Sequence, residues 1–244
     1  LAAARPGINI IVLSFQYPYH TQTYRWHNVE VHCFNGRNKG GLARLLRERK
    51  IYGQLKSLQA VYTIRGLLSF WYGECALVGK HFADKNGLLH RCWILGQDAR
   101  ATNPYPKKAK AEAGELIALS DFLQEEFQRN FNIRPAQVIT PEVDTGLFLK
   151  EEPLRDIDIL GVGSLIPLKR FDWWIDCISH LKVTHPEIKA VLIGDGVERR
   201  KLEKLAQELN LAENIRFAGE LPYPAVLQIM QRAKILLHPS SYEG

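Results

Sequence analysis

Apolar positions follow two rhythms along this chain. Short runs rich in β-branched residues stand at INIIVLSF (8–15), HRCWIL (90–95), DIDILGVGSL (156–165), KAVLIG (189–194) and AKILL (233–237). Such runs suit parallel strands covered on both faces, so 8–15 is expected to open a doubly wound sheet. VEVHCF (29–34) alternates and predicts another strand, while AVYTIRGLLSFW, ELIALS, QVITP and NIRFAGEL end in or supply four more. Between the strands the period lengthens to that of helices. DFLQEEFQRNF follows Ser120 as its cap, FDWWIDCISHLK carries Phe171, Trp174, Ile175, Ile178 and Leu181, and ERRKLEKLAQELNL carries Leu202, Leu205, Ala206 and Leu209. Pro222 and Pro224 open a further helix. Strands alternating with helices predict an α/β fold with parallel sheets, whose ligands sit beyond the carboxyl ends of the strands.

At 244 residues the chain is longer than the roughly 100–200 typical of one domain. Glu151, Glu152 and Pro153 mark the expected junction, which gives a first domain of residues 1–152 and a second of 153–244. With 24% charged residues and no apolar run near the roughly 18 that suggest a span, no transmembrane helix is expected. The opening LAAARPG lacks the regions of a signal peptide, and Cys33, Cys75, Cys92 and Cys177 show no Cys-x-x-Cys spacing. A reducing cytoplasm is the expected compartment.

The net charge of +6 is unevenly placed. Residues 1–152 hold 20 Lys and Arg against 14 Asp and Glu, whereas 153–244 hold 12 of each. The first half is therefore drawn to anionic partners, with the inner membrane surface as one location. LARLLRERKIYGQLK (42–56) predicts a basic amphipathic helix, resting on anionic lipid or packing its leucines inward in the ordinary way. No nucleic-acid-binding motif accompanies the charge, so nucleic acid is not an expected partner.

In the first half, three loops follow strands: Gln16–Thr23, Trp71–Glu74 and Gly96–Asn103. Asp98 either meets sugar hydroxyls or a proton, or caps the next segment. Glu74 either contacts an acceptor or caps the helix that follows, and His20 and Tyr19 are weaker acceptor-side candidates. In the second half, SLIPLKR ends in Lys169 and Arg170 directly before a helix. Two cations and the unpaired N–H groups of a helix start make an anion site, for which a diphosphate is the natural guest. Gly161 and Gly163 begin a dinucleotide-like Gly-x-Gly pattern, but Ile166 stands where that fingerprint needs Gly or Ala. Gly194, Asp195 and Gly196 form a turn that lets backbone approach a ligand. Asp156 and Asp158 form an Asp-x-Asp pair at a strand's entry, the wrong end for a metal site.

Taken together, GVGSLIPLKRFD, LIGDGVERRKLEKLAQELNL, NIRFAGELPYPAV and HPSSYEG resemble the C-terminal domain of GT4 retaining, nucleotide-sugar-dependent glycosyltransferases. LGQDA, ELIALSDFLQEEF and VITPEVDTGLF in the first half are similar to that family too. The resemblance implies the GT-B fold, two Rossmann-like domains facing each other across a cleft, the second incomplete at Gly244. It implies a nucleoside diphosphate sugar as donor, a hydroxyl acceptor on a glycan, lipid or small molecule, and no metal or other cofactor. By it, Lys169 neutralises the departing diphosphate and Glu243, first glutamate of a Glu-x7-Glu motif, contacts the sugar. The segment Gly219–Leu221 meets the base through its backbone, and Gly163, Ser164, Arg170 and Gly194–Gly196 shape the donor cleft. A family arginine stands where this chain has Ser164, Leu95 replaces a family histidine, and the glycine-rich loop after the first strand is replaced by QYPYHTQTYRW. Two rivals keep part of this picture: a sugar-nucleotide-binding protein without turnover, and an epimerase on the same fold.

Overall fold

The computed structural model describes residues 7–148 and 153–243. Two compact units form, dividing after Pro141. Glu151 and Glu152, named above at the junction, lie outside the described residues.

The first unit runs β1 (Ile11–Ser14), β2 (Thr21–Trp26), β3 (Val29–Phe34), α1 (Gly41–Val61), β4 (Gly66–Phe70), α2 (Glu74–Asn86), β5 (Leu89–Ile94), α3 (Tyr105–Ala109), β6 (Leu116–Ala118), α4 (Asp121–Phe131) and β7 (Gln137–Val138). Its strands make two sheets, ordered β1-β3-β2 and β4-β5-β6-β7. All pairs are parallel except β2 with β3. The hairpin strand β2 falls partly within a segment expected to be loop, because TQTYRW is polar and exposed and shows no buried alternation. It also corrects the expectation for 8–15. With a hairpin instead of a helix between β1 and β3, the strand is covered on one side only. Leu13, Phe15, Phe34 and Leu67 pack with Ile51 and Leu55 of α1 and Val78 and Phe82 of α2. Val12, Leu68 and Phe70 stay exposed.

Helix α4 starts where expected, with the Ser120 side chain accepting from Leu123 N at 3.2 Å. Helix α1 also forms, with Leu55 packed inward as in the ordinary reading above but Leu42, Leu45 and Leu46 turned outward. Arg47 and Ile51 point inward beside Leu55.

The second unit is a four-stranded parallel sheet, β10-β9-β8-β11, made of β8 (Ile157–Val162), β9 (Ala190–Ile193), β10 (Ile215–Gly219) and β11 (Ala233–Leu236). Helices α5 (Phe171–Thr184), α6 (Arg199–Glu208) and α7 (Tyr223–Gln231) cover it. Period-2 alternation sends Ile159, Ala190 and Leu192 toward Trp174, Ile175, Leu202 and Ala206. Leu160, Val191 and Ile193 face Val226, Ile229 and Met230 on the other side. Both faces of β8 and β9 are buried, as their apolar runs require, whereas β11 at the sheet edge leaves Ile235 and Leu236 exposed. Trp174 lies over Gly161, where a Cβ would come 3.0 Å from its Nε1. That glycine is needed for helix–sheet packing. The Asp-x-Asp pair is structural: Asp156 accepts from Arg232 Nε at 2.9 Å and Asp158 from Lys234 Nζ at 2.7 Å, tying the entry of β8 to β11.

Candidate functional site

Every loop leaving the carboxyl edge of the second unit's sheet is held by its neighbour. Gly163 N donates to Ile193 O, Leu165 N to Asp195 O, Gly194 N to Gly219 O and Leu237 N to Leu160 O, all within 2.8–3.0 Å. Ser241 N donates to Leu168 O at 3.0 Å, joining the segment after β11 to the single turn Pro167–Lys169. Residues far apart in sequence thus share one rim.

Gly194 makes the closest approach possible. Its φ is +135°, and a Cβ there would sit 1.9 Å from the Gly163 carbonyl oxygen. Gly194→Ala is therefore expected to destabilise this unit by about 1–3 kcal/mol from backbone conformation alone, with the clash adding to it. Chemical denaturation reads the change. An unaltered midpoint would mean the two loops do not meet as described.

On this rim Lys169 and Glu243 meet. Lys169 Nζ donates to Glu243 Oε1 at 2.5 Å, and the Lys169 stem passes beside Gly163, 3.9 Å from where its Cβ would be. Sequence reading missed His238, whose Nε2 lies 2.7 Å from the same Glu243 oxygen and 3.0 Å from Ser240 Oγ. Its signal was its position five residues before Glu243, just past a strand end. Burial raises the Glu243 carboxyl, but hydrogen bonds from Lys169, Ser240 and His238 outweigh it and push the group down to about 2.

Arg170, the second cation expected at the donor, stands at the start of α5. It donates through Nε and Nη2 to both oxygens of Asp172, at 3.0 and 2.8 Å, and stacks 3.7 Å from the Trp173 ring centroid. Its charge is already matched by a neighbour on the first turn of α5. Ser164 is exposed on the loop after β8. Asp195 accepts from Gly196 N at 2.7 Å and Arg199 Nη1 at 2.9 Å, and the same Arg199 atom would lie 3.3 Å from a Cβ on Gly219. Leu221 turns its side chain into the core beside Val226.

In the first unit, Asp98 and Glu74 are both buried and hydrogen-bonded to the scaffold. Asp98 is 7% exposed, and its Oδ2 accepts from Tyr72 N at 2.7 Å and Leu95 N at 2.9 Å. It fastens the loop after β4 to the turn after β5, and burial raises its carboxyl to about 6 against those two N–H groups. Beside it is an open hollow of about 280 Å³ lined by Gln97, Asp98, Arg100, Thr102, Asn103 and Tyr105. Glu74 is gripped by Arg47, Nε to Oε1 at 2.8 Å and Nη2 to Oε2 at 2.6 Å, and by Gln16 Nε2 at 2.9 Å. Both its oxygens are taken and its side chain is buried, so Glu74 braces the scaffold as well as standing at the start of α2. His20 stands exposed just before β2 and joins neither cluster.

The sequence matches the Glycosyl transferases group 1 family over residues 148–244. It is 24% identical over 148 residues to the phosphatidylinositol N-acetylglucosaminyltransferase gpi3 subunit of Schizosaccharomyces pombe, covering 59% of this chain and 32% of that protein. It is 26% identical over 167 residues to the UDP-N-acetylglucosamine–peptide N-acetylglucosaminyltransferase GtfA subunit of Streptococcus parasanguinis, covering 68% and 32%. The chain thus spans about a third of the length of these curated relatives. Sucrose-phosphate synthase from Thermosynechococcus elongatus superposes with a TM-score of 0.76 at 19% identity, over 99% of this chain and 68% of that one, which shows a shared fold. The match to the Glycosyl transferases group 1 family thus falls on residues 148–244, the stretch that carries the rim just described, and the chain is built on a GT-B fold.

Proposed function

We propose that this chain transfers a sugar from a nucleoside diphosphate sugar to a hydroxyl acceptor, with retention at the anomeric carbon. The observation that carries the reading is the meeting of Lys169 and Glu243, 74 residues apart in sequence, on a rim of close-packed glycine turns. As the bond from the anomeric carbon to the phosphate oxygen breaks, its electron pair stays on that oxygen, and the Lys169 ammonium stabilises the charge from a fixed position. Glu243, released from Lys169, turns its free Oε2 to the sugar hydroxyls, while His238 keeps its contact with Oε1. Backbone at Gly163 and Gly194–Gly196 gives the diphosphate room, and Gly219–Leu221 receives the base through main-chain groups. Retention and the absence of a metal from this scheme rest on the family resemblance.

On the acceptor side, the polar hollow beside Asp98 suits a hydroxyl-bearing ligand, with Asp98 as a positioning residue. Among the described residues no helix is long and apolar enough to cross a membrane, and the basic first unit suits peripheral contact with an anionic one.

Thermal unfolding with UDP-, GDP- and ADP-sugars tests the donor. UDP-N-acetylglucosamine comes first, since one relative carries that donor in its name. A donor at about 100 times its Kd adds about 2.7 kcal/mol to the folded state, a rise of several degrees in Tm. A panel in which no sugar nucleotide raises Tm would overturn the proposal.

A further inference from the structure

Three leucines that an amphipathic helix ordinarily buries stand in solvent. Leu42, Leu45 and Leu46 are 71, 49 and 57% exposed. The cause is Arg47: its two-pronged grip on buried Glu74 turns that side of α1 inward, together with Ile51 and Leu55. At 3.6 residues per turn, Leu42, Leu45, Leu46, Arg49 and Lys56 then share one outward stripe, with Lys50 at its flank. The one acid in the helix, Glu48, lies off that stripe, 3.4 Å from Arg44. Arg49 and Lys50 have no ion-pair partner among the described residues.

Two exposed tyrosines lie on the loop before β2. Tyr17 and Tyr19 are exposed, 4.9 Å apart, on a loop bound to the segment that leads into α1: Arg37 Nη2 donates to Tyr19 O at 2.7 Å and Asn38 N to Gln16 Oε1 at 2.8 Å. Apolar tips, interfacial tyrosines and long cationic side chains that can extend past them are the composition of a surface that lies in a headgroup layer.

We propose that this face of α1 docks the first unit on an anionic lipid bilayer. Charge selects that occupant: a second copy would set one cationic stripe against another with no acid on it to pair, whereas anionic headgroups match the cations while the leucines enter the acyl boundary. The inference stands apart from the donor reading, since vesicle binding requires no sugar nucleotide.

Flotation with vesicles of phosphatidylcholine alone, and of phosphatidylcholine mixed with phosphatidylglycerol, tests it. Binding is expected to the mixed vesicles and to weaken with salt. Neutralising two cations in Arg49→Gln/Lys50→Gln should lower affinity by about thirtyfold, and Leu42→Gln/Leu46→Gln by about tenfold or more. Circular dichroism should stay unchanged because these side chains point outward. The Arg49→Gln/Lys56→Gln pair gives a second reading if the leucine variant fails to fold. Absent binding, equal binding to neutral vesicles, or variants that bind like the parent would each overturn the proposal. So would leucine variants that leave vesicle binding intact but convert a dimer to a monomer in light scattering.

Discussion

Lys169→Ala is expected to slow release of nucleoside diphosphate from the sugar nucleotide by about 10²–10³-fold, the usual consequence of removing one fixed donor from a developing charge. Stability should barely move. The Lys169 and Glu243 side chains are 20 and 48% exposed, and an ion pair that open to water contributes about 0–1 kcal/mol. Rate and Tm measured together separate site from scaffold. An unchanged rate removes Lys169 from the chemistry, whereas parallel losses of rate and Tm point to unfolding. Binding with no release by the parent protein would favour the non-catalytic rival, and a changed sugar nucleotide without acceptor the epimerase.

The charge state around Lys169 has a pH signature. Glu243, held down to about 2, is ionised in the folded protein at every pH above that. A carboxyl depressed on folding contributes its stabilisation above the usual carboxylate range and loses it only as pH falls toward the folded value. The pair therefore persists through neutrality, and a donor diphosphate must draw Lys169 away from Glu243 to bind. No acid limb from Glu243 should appear in kcat/KM above about pH 4. A limb near pH 6 that disappears in Asp98→Asn would instead trace to Asp98, whose buried carboxyl titrates there.

Glu74→Ala should destabilise the first unit by about 3–5 kcal/mol, because it leaves the Arg47 guanidinium buried and unpaired. Arg47 also donates to Gly36 O and Lys39 O, so the loss spreads into the loop that starts α1. Replacing both partners, as in Arg47→Met/Glu74→Leu, should recover most of the loss, since no lone charge then remains inside. Urea denaturation of the three variants decides. A Glu74→Ala protein of parental stability but lost turnover would speak for an acceptor role instead. This prediction is separate from the vesicle experiment, whose variants leave the ion pair intact.

Much of the second unit was legible in the sequence. Runs such as KAVLIG leave a buried strand no polar face to show, Phe171, Trp174, Ile175 and Ile178 form one helical stripe, and Gly194 and Gly196 mark where chain must pass close to chain. Lys169 was found by its place between a strand and a helix start. The first unit hid more. TQTYRW carries no alternation by which to recognise β2, and a carboxylate after an apolar strand looks alike whether it faces a ligand or clamps a loop.

Local pattern by itself determined the α/β class, the second unit's strands and the rim loops, because burial of apolar side chains at periods 2 and 3.6 acts within a few residues. Tertiary structure alone decided which distant charges meet. Arg47 reaches Glu74 from 27 positions away, and Glu243 finds Lys169 and His238 together. Such pairings depend on distances of about 3 Å set by the fold, and in the first unit one of them fixed which side of α1 faces water.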